Sequence, residues 1–155
     1  MKIIAATAAA IIALTIAGHA TSAFAAPAAA TTPAATNTLT VRFTGIEAPT
    51  GAVLLSLFAS EAAFDAGGQP VASLMAPVKG DTAEAVFPGL TPGRYAIKAF
   101  HDINGDGNMG VTPFGMPNEP FAFSNDAVGN AGPAKWADAS FDLGVAGAVH
   151  SIKIR

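Results

Sequence analysis

Short runs of alternating apolar and polar residues, each closed by Gly, Pro or Asn, recur along most of the chain. A period of two places successive side chains on opposite faces of an extended backbone, so these runs confine the fold to β-structure. In residues 38–45, "TLTVRFTG", Leu39, Val41 and Phe43 share one face, with Thr40, Arg42 and Thr44 on the other. Residues 51–59, "GAVLLSLFA", put Val53, Leu55 and Leu57 on one side, while Leu54 and Phe58 make the other side apolar too. This second strand is therefore expected to be covered on both faces. Residues 71–79 form a weaker strand, placed at an edge by Pro77, which cannot donate to a ladder. Residues 82–90 align Ala83, Ala85 and Phe87. After the Pro92-Gly93 turn signal, Tyr95, Ile97, Ala99 and His101 share one face. Residues 139–145 and 148–155 complete the set, joined by a turn at Gly147, with Phe141, Leu143, His150, Ile152 and Ile154 inward.

A single short helical turn is expected at residues 60–68, capped by Ser60 and ended by glycine. No long helical period exists after residue 37, so the crossovers of a parallel α/β sheet are missing. The expected fold is all-β: an antiparallel β-sandwich of about seven strands, immunoglobulin-like or prealbumin-like. A closed barrel would show the same periodicity.

The first residues do not belong to that fold. Met1-Lys2 precedes the apolar run 3–17, and Ala23-x-Ala25 supplies a small-residue cleavage pattern. This predicts a signal peptide over 1–25 and a periplasmic or secreted protein. The run is shorter than the roughly 20 residues that span a bilayer, so the mature chain is expected to have no transmembrane segment. Residues 26–37, "APAAATTPAATN", lack aromatic and branched aliphatic side chains and predict a disordered leader. One folded domain is left, 38–155. The absence of cysteine excludes disulfides and thiolate chemistry. Of eight basic residues only Lys2 leaves with the signal, so seven face eleven acidic ones, a net charge of −4. With no basic cluster, nucleic acid is not an expected partner.

Residues 102–138 form the longest connection and are rich in Gly, Pro, Asn and Asp. Connections beyond about 15 residues are usually functional or disordered. This one carries Met109, Phe114, Met116, Phe121, Phe123 and Trp136, which need something to pack on. An ordered loop excursion is expected, with a short strand at 119–124. Phe114, Phe121, Phe123 and Trp136 would either line a ligand groove or form a satellite core that pins the loop.

Within it, Asp102, Asn104, Asp106 and Gly107 satisfy the opening of a calcium loop, D-x-[DN]-x-[DN]-G. Calcium takes six to eight oxygens, and Asn108 and Glu119 would extend the set. The twelfth position, where a bidentate Glu belongs, is Pro113, so only a low-affinity calcium site is expected. The same residues also suit an Asx-turn that serves its own backbone. His101 and His150 lie on inward faces near strand ends. If they meet, Met109 and Met116 would offer soft thioether ligands beside them. Ser124 lacks the G-x-S-x-G elbow, and no catalytic residue is assigned.

Phe87-Pro-Gly-Leu-Thr-Pro-Gly-Arg-Tyr95 and Phe100-His101-Asp102 stand ahead of the Asn/Asp/Gly loop. Gly115-Met-Pro-Asn-Glu119 and Ala122-Phe-Ser-Asn125 follow it. In that order they make residues 38–155 resemble a bacterial secreted family, domain of unknown function 2141. The first segment also resembles prealbumin-like and carboxypeptidase-regulatory-like sandwiches. The resemblance implies a β-sandwich and export and brings no established activity. The chain departs from the family's loop, which usually runs on to an aspartate; here no acid follows Asp106 until Glu119. The functional expectation is an exported binding or structural module with a cell-envelope or extracellular partner. The alternative is a periplasmic metal-dependent enzyme or metal carrier built on the 101–126 loop.

Overall fold

The computed structural model describes residues 37–155; the signal-peptide assignment and nearly all of the leader lie outside the described residues. Among these residues eight strands occur in the order β1 (Asn37–Thr44), β2 (Ala52–Phe58), β3 (Ala72–Pro77), β4 (Ala83–Leu90), β5 (Gly93–Asp102), β6 (Phe121–Phe123), β7 (Phe141–Leu143) and β8 (Ala148–Lys153). They form two sheets. One has the order β4-β1-β8; the other runs β3-β2-β5-β6, with β7 also paired to β5. The architecture is an all-β sandwich rather than a closed barrel. The eighth strand is the short β6, inside the 119–124 stretch.

The alternating side chains decide the layers. Leu39, Val41 and Phe43 of β1 are fully buried, as are Val53 and Leu57 of β2 and Ile97 of β5. They interdigitate between the sheets, with Phe87, Leu143 and Ile152 in the same cluster. One pair departs from the antiparallel expectation: β1 and β8 are parallel, Leu39 opposite Ala148 and Phe43 opposite Ile152. A parallel pair needs a crossover, and here everything between the first and last strands supplies it.

Pro77 ends β3 at the sheet edge, where its missing N–H costs no ladder bond. Ser60 caps α1 (Glu61–Ala66), its side chain accepting from the Ala63 N–H, and Gly67 ends the helix at a φ of 68°. A second short helix, α2 (Trp136–Ala139), starts where the Trp136 N–H donates to Asp65 at 2.9 Å. Phe64 of α1 then packs edge-on against Phe58, Phe123 and Trp136, with ring centroids 5.5, 6.2 and 6.0 Å away. This is a second core, on the outer face of the larger sheet. It pins the long connection at Phe123 and Trp136.

The edge of β5 away from β2 is divided. β7 pairs with residues 93–95 and β6 with residues 98–100. The Ile97 N–H falls between the two and donates to Ser124 Oγ at 2.8 Å. That hydroxyl, fully buried, donates in turn to the Ala139 carbonyl at 2.6 Å. Asn125 follows in the left-handed region, at a φ of 60°, which lets its amide donate to the Asp138 and Ser140 carbonyls.

Tyr95 is buried at the start of β5, and its hydroxyl donates to the Thr91 carbonyl at 2.8 Å. This ties the Pro-Gly turn back onto the strand in the manner of a tyrosine corner. Tyr95→Ala should cost about 3–5 kcal/mol and Tyr95→Phe about 1 kcal/mol, measured by denaturant unfolding. An alanine cost under about 1 kcal/mol would mean that this corner anchors nothing.

Candidate functional site

Strand register builds a surface on the outer face of the larger sheet. Leu54 of β2 lies opposite Met75 of β3 and Phe100 of β5, and Phe100 lies opposite Phe121 of β6. Side chains in register on one face are neighbours, so Met75, Leu54, Phe100 and Phe121 make one apolar row across four strands. The next row, two residues along, is Ser73, Ser56, Lys98 and Phe123, the last already part of the second core. The row beyond, Phe58 and Ala96, is roofed by the second core. The sheet is thus covered at one end and open at the other.

The open end is the floor of a groove of about 1520 Å³. Met109, Met116 and Pro117 wall one part of it, and residues 126–129 and 131–133 contribute to its lining. The first wall is a tight turn. The Thr112 N–H donates to the Met116 carbonyl and the Gly115 N–H to the Thr112 carbonyl, both at 2.8 Å. Its tip, Phe114, is 92% exposed. Met75 and Met116 are 67% and 66% exposed, and Phe121 38%. The four aromatics of the long connection therefore divide: Phe123 and Trp136 are core, Phe121 lines the groove and Phe114 projects into solvent.

Lys98 is the cation on the floor. Its ammonium donates to the Phe64 carbonyl and lies 4.5 Å from the Phe64 ring centroid and 5.3 Å from that of Phe58. Burial pulls its pKa below the usual lysine range; Asp65 opposes this and Lys135 adds to it. Lys153, Arg155 and Asp126 also border the groove.

The proposed calcium ligands lie at the end of β5, turned to other partners. Asp102 is buried. Its Oδ1 accepts from the Gly105 and Asp106 N–H groups at 2.7 and 3.2 Å, and its Oδ2 from Gly107 at 2.9 Å. Asn104 donates to Asp106 Oδ2 at 2.9 Å, and Asp106 Oδ1 accepts from the Asn108 N–H at 2.8 Å. Glu119 folds back to the same loop and accepts from Ile103 at 3.2 Å and Gly110 at 2.9 Å. These side chains serve the loop's own backbone. Among the described residues no three His, Asp or Glu side chains are grouped so as to hold a metal ion.

The two histidines do not meet. His101 is buried at the far end of β5, and its Nε2 donates to the Thr50 carbonyl at 2.7 Å. A Cβ on neighbouring Gly51 would stand 2.1 Å from the Asp102 carbonyl oxygen, so only glycine allows that approach. His150 stacks on Phe141, with ring centroids 4.1 Å apart, and accepts from the Asn125 N–H at 3.1 Å. Phe141 pairs with Tyr95, about 20 Å along β5 from His101. The sandwich thus keeps the imidazoles at opposite ends of that strand, and a shared His/Met metal centre is corrected to two separate structural histidines. Ser124, bonded on both sides, is likewise no nucleophile.

Met75, Lys98 and Phe100 were not read from sequence as site residues, and Leu54 was read only as a sign of cover. The signal in sequence was Leu54 itself, an apolar residue on the nominally polar side of β2, which predicts cover but not a groove.

These features define an all-β sandwich domain with one roofed and one open apolar surface on its larger sheet. The chain belongs to a family of uncharacterized proteins conserved in bacteria, DUF2141, matched over residues 41–151, from β1 into β8. No curated protein and no solved structure matches it.

With its carboxylates committed to amides, the 102–108 loop should bind calcium no tighter than about 10⁻⁴ M by calorimetry. Asp102→Ala should cost about 1–3 kcal/mol, because three N–H groups lose a charged acceptor. Micromolar binding abolished by that change would show instead that Glu119 completes a site.

Burial lowers the pKa of His150 from its ordinary 6.5, against the opposing charge of Asp126. A lowered folded value means that the unfolded chain binds the proton more tightly. The contribution is full above about pH 6.5 and is lost as pH falls through the depressed folded value. Thermal unfolding should therefore show falling stability over that range, and His150→Phe should flatten the fall. An unchanged pH profile in that variant would remove His150 as its cause.

Proposed function

We propose that the domain is an exported, non-catalytic binding module of the bacterial envelope, and that its working surface is the groove on the outer face of the larger sheet. One observation carries this reading: the Met75-Leu54-Phe100-Phe121 row is open in a groove of about 1520 Å³, while the Phe58 end of the same face is roofed. Concave apolar surfaces with a few polar groups are the usual form of a ligand site. Methionine suits such a lining, because its unbranched thioether adapts to varied shapes. Export is supported by the basic start, apolar run and small-residue cleavage pattern of residues 1–25.

The remaining candidate groups support a binding role over a catalytic one. Ser124 and His101 each have a structural partner. The 102–108 loop is read as a rigid turn that carries the chain from β5 to the Met109–Met116 wall, with calcium as a weak ligand at most.

Titration with the neutral dye phenylnaphthylamine should show one bound molecule per chain, with enhanced, blue-shifted emission. Met75→Glu and Met116→Glu should each weaken it about tenfold, since each replaces apolar contact with a charge. Both positions are exposed, so stability should change by less than about 0.5 kcal/mol. Dye binding indifferent to both changes would place the ligand elsewhere. Recovery of the protein outside the cytoplasm with Ala26 as its first residue tests export.

A further inference from the structure

We propose that the groove takes a single-chain amphiphile with an anionic head group, its chain along the Met75-Leu54-Phe100-Phe121 row and its head at Lys98. This rests on the groove being the working surface.

The floor changes character within one step of the strand. The apolar row crosses three strand spacings of about 4.8 Å, roughly 14 Å in all. It is one side chain wide, which fits a single extended hydrocarbon chain. The adjoining row, about 7 Å further along, is Ser73, Ser56, Lys98 and Phe123. The two serine hydroxyls are 3.0 Å apart and bond to each other, so Lys98 is the charged group of that row.

Lys98 is half-buried. Its ammonium has three donors, and the Phe64 carbonyl takes one. Among the described residues the ion pairs are Arg42 with Glu84 and Arg94 with Asp142, and neither involves Lys98. A cation partly stripped of water and in contact with no carboxylate gains from an incoming anion. The aromatic rings of Phe58 and Phe64 hold the ammonium in place meanwhile.

The wider charge agrees. Lys98, Lys153 and Arg155 border the groove with Asp126 as the one acidic side chain of its lining, and Asp65 acts on Lys98 from beyond ion-pair distance. Asp126 Oδ1 is already bonded to the Lys153 N–H at 2.7 Å. The chain as a whole carries a net charge of −3, so the groove lining runs against the charge of the molecule. A neutral hydrocarbon would use the row but not Lys98. A small anion would use Lys98 but not the row.

The test compares dodecanoate, dodecanol and dodecylammonium, each below its micelle-forming concentration, by calorimetry on the purified protein. Dodecanoate should bind once per chain, about tenfold or more tighter than dodecanol. Lys98→Gln should remove that difference and leave dodecanol unaffected, and Lys98→Arg should keep it. Met75→Glu, on the exposed floor, should weaken both dodecanoate and dodecanol. Equal affinity for dodecanoate and dodecanol, or preference for dodecylammonium, would overturn the head-group assignment while the groove reading stands. Failure of all three ligands to bind would overturn both.

Discussion

Two three-residue strands share one edge of the ten-residue β5, and the hydroxyl of Ser124 fills the break between them. A buried N–H left without an acceptor costs about 1–3 kcal/mol. The hydroxyl removes that cost at Ile97 and then reaches the end of α2 at Ala139. Asn125 repeats the connection one residue later, to Asp138 and Ser140. Through these bonds the position of α2 is set by the sheet. Trp136 of α2 then meets Phe64 of α1, and the outer face gains its roof.

The roof also determines where the sheet remains open. Phe58, Ala96 and Phe123 lie under α1 and α2. The cover ends at Phe123, which lies opposite Lys98, and the next row, with Phe100 and Phe121, is open. Lys98 stands on that boundary, with its ammonium over the rings of the roofed half and its stem beside the open half. The same lysine closes one hydrophobic unit and borders another. The groove is therefore a product of partial cover, and each residue that holds the roof in place also shapes the groove.

The strands were legible because burial on one face leaves a period of two. Ser60 and Gly67 marked the α1 termini, Pro77 marked an edge, and Tyr95 was recognisable from its turn. What escaped was whatever depends on register between distant strands. No local pattern says that Leu54 faces both Met75 and Phe100, or that β1 pairs in parallel with β8. His101 and His150 each looked inward, correctly for His101 and half so for His150, but facing the interior does not fix position along it. The Asp102–Asn108 loop was ambiguous for a chemical reason. An oxygen able to ligate a cation is equally able to accept from an amide, and on a tightly curled loop the amides are always at hand. Ser124 was undervalued because a hydroxyl that mends a ladder leaves no periodic trace.

The parallel pairing of β1 with β8 makes the first strand of the domain wait for the last. Until β8 is present, β1 has a partner only in β4, and one side of the smaller sheet stands open. Contacts between the ends of a chain carry the largest loop-closure entropy and are slow to form. The larger sheet has no such dependence on the final residues: β2, β3 and β5 follow closely along the chain and pair antiparallel. Most of the groove floor is thus built from pairings between strands close in sequence, whereas the smaller sheet is closed by a contact between the two ends of the domain.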